Sequence, residues 1–190
     1  MYHTLQSWHK SGKSFSFKDF NIFYQYSDKP AATTLFLVHG YPTSSFDWSK
    51  IWDQLSENYQ LVAIDLLGFG FSDKPYRYPY SVQDHADQCI ALIQHLKLKS
   101  VHLIGHDLGV GVIQELLDRQ QKMLLECSVQ SAIFMNGSLF AEVYRPRLIQ
   151  KLMASFLGHL IVPMISLSVF SKSMTQMFDQ RHQPSPTELK

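Results

Sequence analysis

The sequence is short of cysteine and of long apolar runs. Its two cysteines, Cys89 and Cys127, stand in no CxxC or CxxH spacing, so neither a disulfide framework nor a zinc site is expected. The longest apolar stretch, residues 159–170, has about half of the roughly 20 residues that span a bilayer, and the N-terminus has no apolar core of a secretion signal. These absences favour a soluble, cytoplasmic protein.

The sequence also has no large excess of positive or negative charge. The 190 residues include 17 Lys and Arg against 16 Asp and Glu, for a formal net charge of +1, and the basic residues form no runs. Nucleic acid is therefore not an expected partner. With 45% hydrophobic and 17% charged residues, the composition excludes a disordered chain, and the length suits one domain with a sizeable core.

Strands that alternate with helices are what the sequence does contain. Continuous apolar runs predict four buried strands, at residues 33–40, 60–66, 100–107 and 129–137. Apolar positions at helical spacing predict three helices, at residues 48–59, 81–96 and 108–121. After a polar start, alternation at residues 20–27 predicts a half-exposed strand. This order predicts an α/β fold with a doubly wound, mostly parallel sheet in residues 1–137.

From residue 138 onward the pattern becomes helical and is broken at Pro146, Gly158 and Pro163. Residues 138–190 therefore favour a helical layer rather than another strand and crossover. Two interpretations stay open from the pattern alone. The helices either pack on the sheet or form the beginning of a cap over the ends of the strands.

The segment GHDLG, residues 105–109, places a carboxylate between two glycines at the end of a predicted strand. A sharp strand-to-helix turn needs glycine at Gly105 and Gly109, because the two elements approach too closely for larger side chains. The turn also lifts the side chain of Asp107 into the open, next to a helix N-terminus that favours negative charge. Asp107 is then either a nucleophile or a residue that only caps its own helix.

The segment HGYP, residues 39–42, follows the first buried strand. Its turn can aim the backbone N–H of Tyr41 at the space above Asp107, with the N–H of Leu108 as a second donor, which is the arrangement of an oxyanion hole. The other glycine, histidine and loop residues at these strand ends are predicted to have structural roles. They are His39, Gly40, Pro42 and His106, and in the neighbouring loop Asp65, Gly68, Gly70 and Ser72.

Taken in order, FLVHGYPTSSFDW, VAIDLLGFGFSDKP and LIGHDLGVG resemble the α/β-hydrolase superfamily. The aspartate is typical of its epoxide hydrolase and haloalkane dehalogenase branch, and similarity to the mesoderm-specific transcript group covers nearly the whole chain. The resemblance implies that Asp107 attacks a saturated carbon of a small-molecule substrate and forms an alkyl ester, which water activated by a histidine then hydrolyses. It implies no metal or other cofactor. Because the group includes membrane-associated members, membrane association stays open.

Two departures from the branch bear on the substrate. Haloalkane dehalogenases usually have Asn and Trp where this sequence has Tyr41 and Leu108, and fluoroacetate dehalogenases usually have Arg at the second place. The resemblance therefore favours an epoxide, with a carbon–halogen compound as the alternative. Epoxide hydrolases use tyrosines of the cap to protonate the epoxide oxygen, and Tyr144 is the only tyrosine after Tyr80. Tyr144 is thus the candidate acid.

The histidine base and its acidic partner are the missing half of this mechanism. Only His159 and His182 follow Asp107 in the chain, and neither comes after a predicted strand. The resemblance places the last strands, the rest of the cap, the acid and the base beyond Lys190. We therefore expect a C-terminally incomplete hydrolase that turns over poorly or not at all. A non-catalytic hydrolase fold that binds a ligand or a partner is the other alternative, and nothing in the sequence indicates an oligomeric state.

Overall fold

The computed structural model describes residues 3–29, 33–137 and 175. The chain divides into two units, residues 1–142 and 143–190, and every described residue except Thr175 belongs to the first. The predicted cap, residues 138–190, falls outside the described residues except for Thr175. In chain order the described elements are α1 (Leu5–Ser11), β1 (Lys13–Phe17), β2 (Phe20–Ser27), β3 (Thr34–Val38), a 3-10 helix (Ser45–Trp48), α2 (Ser49–Ser56), β4 (Gln60–Ile64), α3 (Val82–His95), β5 (Ser100–His106), α4 (Leu108–Gln121) and β6 (Ser128–Met135).

The six described strands form one sheet in the order β1-β2-β4-β3-β5-β6. Strands β4, β3, β5 and β6 are parallel to their neighbours, whereas β2 runs antiparallel to both β1 and β4. Parallel neighbours need crossover connections, and α2, α3 and α4 each lie between two successive parallel strands. The predicted α/β fold with a mostly parallel sheet is confirmed.

Helices cover both faces of the sheet. On one face α3 and α4 enclose strand side chains such as Phe36 and Leu103 in the larger core cluster. On the other face α1 and α2 bring Trp8 and Trp52 into a second cluster with Leu37. Strands β3 and β4 lie between these layers and every one of their residues is buried, as continuous apolar runs predict.

Strands β5 and β6 are less buried than we predicted. In β5 the buried residues alternate with partly exposed ones, and in β6 only Val129 is buried. Helix α4 packs against both strands, and Val129 shares the core cluster of that helix, whereas Ile133 is exposed. The apolar runs of β5 and β6 therefore predicted the strands correctly, but the burial that we predicted for both of their faces is not observed.

The polar N-terminal segment, for which we predicted no element, forms a helix and a strand. Helix α1 is capped by Thr4, whose Oγ1 accepts a hydrogen bond from Ser7 N while Ser7 Oγ accepts one from Thr4 N, a capping box. Strand β1 turns into β2 through Lys18 and Asp19, which both have positive φ, as a two-residue hairpin requires. One buried residue in a seven-residue helix leaves too little periodicity for detection.

The predicted helices are present with small shifts of their boundaries. Ser81 caps α3 by accepting a hydrogen bond from Asp84 N at 3.1 Å, and α4 has the predicted span. The helix predicted at residues 48–59 is shorter and is preceded by the 3-10 turn. In residues 3–29 and 33–137 no helix combines the length and the apolar character that crossing a membrane requires.

Docking of α1 can be tested at two of its residues. Trp8 is buried and its Nε1 donates a hydrogen bond to Ser45 Oγ at 3.1 Å, so Trp8→Ala should lower the free energy of unfolding by about 3–5 kcal/mol. Leu5→Ala on the same helix, where the side chain is 51% exposed, should change it by less than about 0.5 kcal/mol. Urea unfolding measures both, and equal effects would contradict a docked α1.

Candidate active site

Three turns meet at the carboxyl ends of the parallel strands. They follow β3, β4 and β5, which are adjacent in the sheet, so the HGYP turn lies between the loop that begins at Asp65 and the turn that holds Asp107. In an open α/β sheet, ligands bind at this edge. The fold thus brings together the segments that the sequence analysis singled out.

Asp107 occupies a strained turn between β5 and α4. Its φ of 50° and ψ of −112° lie outside the regions that residues with a Cβ usually adopt. Its backbone N–H donates to Met135 O at 3.0 Å, which ties the turn to β6, and the residue is exposed. A conformation of this kind costs about 1–3 kcal/mol and requires support from its surroundings.

The two backbone donors predicted for an oxyanion hole converge on one oxygen of this carboxylate. Asp107 Oδ1 accepts hydrogen bonds from Tyr41 N at 2.9 Å and from Leu108 N at 2.7 Å. None of the described residues donates to the second oxygen, Oδ2. One oxygen is therefore held by two N–H groups, and the other has no hydrogen-bond donor among the described residues.

Glycines allow this close approach. A Cβ added to Gly40 would lie 2.5 Å from Asp107 Cβ, and one on Gly109 would lie 2.3 Å from Val38 O. A Cβ on Gly105 would lie 2.6 Å from Gly109 O. Real Cβ atoms do not come that near to backbone atoms, so the start of α4 rests directly on β3 and β5 only because these positions lack side chains.

His39 stabilises the HGYP turn by hydrogen bonds that involve both of its ring nitrogens. Its Nδ1–H donates to Gly40 O at 2.8 Å, and its Nε2 accepts from Leu66 N at 3.1 Å. Burial lowers the pKa of this fully buried imidazole, which agrees with the neutral form that both hydrogen bonds require. Because both ring nitrogens are occupied, His39 has no atom left for proton transfer in the site.

The other residues of the two motifs are Gly40 and Pro42 in the HGYP turn and His106 beside Asp107. The carbonyl oxygen of Gly40 also accepts from Thr43 N at 3.2 Å, and the Tyr41–Pro42 peptide bond is cis. His106 is the last residue of β5, and its ring makes no hydrogen bond with the described part of the chain. Of the two motif histidines, His39 is thus unable to act as the catalytic base, because both of its ring nitrogens are hydrogen-bonded.

Asp65 joins the two loops that flank the site. Its buried carboxylate accepts hydrogen bonds from Ser45 N and from Phe71 N, both at 2.7 Å. Ser72 Oγ donates to Asp65 O at 2.5 Å. At Gly70, where φ is +49°, a Cβ would lie 2.0 Å from Asp65 Oδ2. These contacts hold the loop after β4 against the HGYP turn.

A cleft of about 490 Å³ opens beside Tyr41 and Leu108. Most of its described lining is aromatic or aliphatic. Of the lining residues, the sequence predicted only Tyr41, Leu108 and Gly68 to lie at or beside the site. The sequence feature that could have indicated this cleft is the N-cap of α3, since the residues around this cap must lie near the strand ends. The described lining residues are Tyr41, Gly68, Phe69, Tyr80, Ser81, Val82, His85 and Leu108.

Some predicted participants are not described. Tyr144, the candidate acid, and His159 and His182 lie outside the described residues. Within residues 3–29 and 33–137 no three His, Cys, Asp or Glu side chains are grouped so that they could hold a metal ion.

The sequence profile of the α/β hydrolase fold matches residues 33–157. The chain belongs to the α/β hydrolase fold family. It is 40% identical over 193 aligned residues to the mesoderm-specific transcript homolog protein of Bos taurus, an alignment that covers 97% of this chain and 58% of that protein. The chain thus spans little more than half the length of this curated relative.

Solved structures share the fold at low identity. A Burkholderia ambifaria α/β hydrolase fold protein superimposes with a TM-score of 0.77 at 20% identity, covering 93% of this chain and 62% of that one. The epoxide hydrolase CorEH superimposes with a TM-score of 0.62 at 22% identity, covering 87% of this chain and 56% of that one. These similarities confirm the fold of the family.

The contact between α4 and β3 is testable with two glycines of one helix. Gly109→Ala would force a Cβ against Val38 O and should destabilise the protein by more than about 3 kcal/mol. Gly111→Ala would meet nothing nearer than 3.6 Å and should leave stability unchanged or raise it by about 0.5–1 kcal/mol. Denaturant unfolding measures both, and a tolerated alanine at Gly109 would contradict the close packing.

Burial of neutral His39 predicts a loss of stability in mild acid. Because the folded state lowers the pKa of His39 below that of the unfolded chain, the contribution is fully present above a pH of about 6.5 and is lost as the pH falls further. His85 acts in the same direction. The free energy of unfolding, measured in urea between pH 8 and pH 5.5, should therefore fall more steeply in the wild type than in His39→Asn. Equal slopes would contradict the assignment.

Proposed function

We propose that the protein is a hydrolase in which Asp107 attacks a saturated carbon, with an epoxide as substrate. The observation that carries this proposal is the pair of hydrogen bonds from Tyr41 N and Leu108 N to Asp107 Oδ1, at 2.9 and 2.7 Å. They hold one carboxylate oxygen, and none of the described residues donates a hydrogen bond to Oδ2, the oxygen that would attack. Membership of the hydrolase family supports the proposal.

The first step follows from this geometry. A lone pair of Oδ2 forms a bond to the epoxide carbon, the carbon–oxygen bond of the ring breaks, and its electron pair stays on the ring oxygen, which then takes a proton. The product of this step is an ester of Asp107 whose carbonyl oxygen is Oδ1. That oxygen already lies between the two N–H donors before the reaction begins.

The second step uses the same donors. Water adds to the carboxyl carbon of the ester as a base takes one of its protons, and negative charge collects on Oδ1. The bond from the carboxyl carbon to Oδ2 then breaks, and Oδ2 takes up that proton. The diol departs with Oδ2, and the water oxygen replaces it in the regenerated carboxylate. Two N–H donors at hydrogen-bond distance from Oδ1 stabilise the charge where it develops, and one such donor contributes about 10²–10³ in rate in comparable sites.

An ordinary esterase fits this geometry poorly. Ester hydrolysis needs the hole for the carbonyl oxygen of the substrate, but here Asp107 Oδ1 occupies it. Attack of a carboxylate on an ester would also give a reactive anhydride. A saturated carbon that carries a leaving group avoids both problems.

The choice of leaving group rests on the side chains beside the nucleophile. Tyr41 and Leu108 contribute their backbone N–H groups to Oδ1, and neither side chain offers an N–H to a departing halide. An epoxide keeps its leaving oxygen attached to the product, so no site for a free halide ion is required. Dehalogenation is the alternative activity, and a non-catalytic binding protein is the alternative to both.

The base that activates water is not assigned to a described residue. His39 has both nitrogens in hydrogen bonds, and Asp107 itself is consumed in the ester. We propose that the family's histidine base and acidic partner lie in sequence outside the described residues, and that residues 138–190 supply part of the cap.

Oxygen exchange into Asp107 tests the proposal. After a single turnover with an epoxide in ¹⁸O-labelled water, mass spectrometry of the Asp107 peptide should show one ¹⁸O atom, or a covalent adduct if hydrolysis is slow. Asp107→Asn should reduce turnover by at least about a thousandfold, whereas Asp118→Asn, at the far end of α4, should not. Neither label nor adduct with an epoxide panel would falsify the epoxide assignment. Label with haloalkanes alone would replace it by dehalogenation.

A further inference from the structure

His85 is a buried polar residue of the cleft for which the reaction described above has no use. It lies in the first turns of α3, is only 3% exposed and lines the cleft. Its ring sits near Phe69 at 6.1 Å and Tyr80 at 6.4 Å between centroids. A polar ring in such apolar surroundings needs hydrogen-bond partners.

The tautomer of His85 follows from its contact with Gln88. Leu67 N donates to Gln88 Oε1 at 2.8 Å, which fixes the orientation of this buried amide. Its NH₂ group then donates to Asp84 Oδ2 at 2.8 Å and approaches His85 Nδ1 at 3.3 Å. Because an NH₂ group can only donate, Nδ1 must be the acceptor of the ring, and the ring proton resides on Nε2.

Asp84 keeps this arrangement in place. Its Oδ1 accepts from Lys18 Nζ and from Tyr78 Oη, both at 2.7 Å. Burial raises the pKa of Asp84, but the hydrogen bonds from Lys18, Tyr78 and Gln88 outweigh it and the net pKa is lowered. An ionised Asp84 attracts the amide NH₂ of Gln88 and so maintains the orientation that fixes the imidazole.

His85 is therefore neutral and has one proton to offer. Burial lowers the pKa of this imidazole. None of the described residues accepts a hydrogen bond from its Nε2–H. Among the described lining residues, His85 is the one that is buried and carries a side-chain N–H.

We propose that the Nε2–H of His85 binds the oxygen atom of an otherwise apolar substrate in this cleft. The binding role stands on the cleft alone; if the proposed function also holds, the bound atom is the epoxide oxygen that Asp107 displaces. A neutral imidazole donates a hydrogen bond to such an oxygen without becoming a base, because its acceptor nitrogen is turned to Gln88. His85 thus serves as a substrate-binding residue and does not replace the base that activates water.

Binding should be measured where no reaction interferes. In the Asp107→Asn variant of the full protein, NMR titration would compare styrene oxide with phenylcyclopropane, in which a CH₂ group replaces the ring oxygen. Adding His85→Leu should weaken binding of styrene oxide by about tenfold and leave phenylcyclopropane within about twofold. His85→Gln, which keeps an N–H donor, should recover part of the loss.

A matched control uses another residue of the same lining. Val82→Ala removes apolar contacts only, so it should weaken both probes to the same degree. If His85→Leu also weakened both probes equally, or neither, the proposed hydrogen bond would be refuted. A discriminating effect of His85 without oxygen exchange at Asp107 would retain the binding role and reject only the proposed reaction.

The tautomer can be observed directly. Long-range ¹H–¹⁵N spectra of the labelled wild type at pH 7.5 should show His85 protonated at Nε2, with Nδ1 as the unprotonated nitrogen. Protonation at Nδ1 would overturn the proposal even if His85→Leu failed to fold. This measurement depends on neither substrate nor turnover.

Discussion

Two hydrogen bonds to one carboxylate oxygen hold the site together. Asp107 has a backbone conformation that costs about 1–3 kcal/mol. A hydrogen bond to a charged group contributes about 1.5–3 kcal/mol, so the donations from Tyr41 N and Leu108 N are sufficient to offset that strain. The strained turn and the pair of donors therefore stabilise each other, and disruption of the HGYP turn would also release Asp107.

This mutual support demands a close fit of three strand ends. Gly40, Gly105 and Gly109 let the start of α4 approach β3 and β5, while His39 and Asp65 fasten the loops on either side. The fastening groups are buried and fully hydrogen-bonded, which is the condition for a buried polar group to stabilise rather than destabilise. The exposed carboxylate thus lies on closely packed strand ends whose buried polar groups are hydrogen-bonded.

The sequence predicted the meeting of the two turns better than it predicted their surroundings. The order of strands and helices and the span of α4 followed from periodicity, and the meeting of HGYP with GHDLG followed from the rule that the carboxyl ends of parallel strands share one edge of the sheet. Helix α1 and strand β1 escaped because they are short and bury few residues. His85 escaped because its role depends on the orientation of a single amide, Gln88, which a one-dimensional pattern does not report.

The turn between β1 and β2 links the N-terminal part of the chain to the cleft. Lys18, from that turn, holds Asp84, which orients Gln88 and through it the imidazole of the cleft. Residues 33–157, the part that defines family membership, do not contain this lysine. A protein shortened to the shared region would therefore keep Asp107 but lose one of the two groups, Lys18 and Tyr78, that donate hydrogen bonds to Asp84 Oδ1.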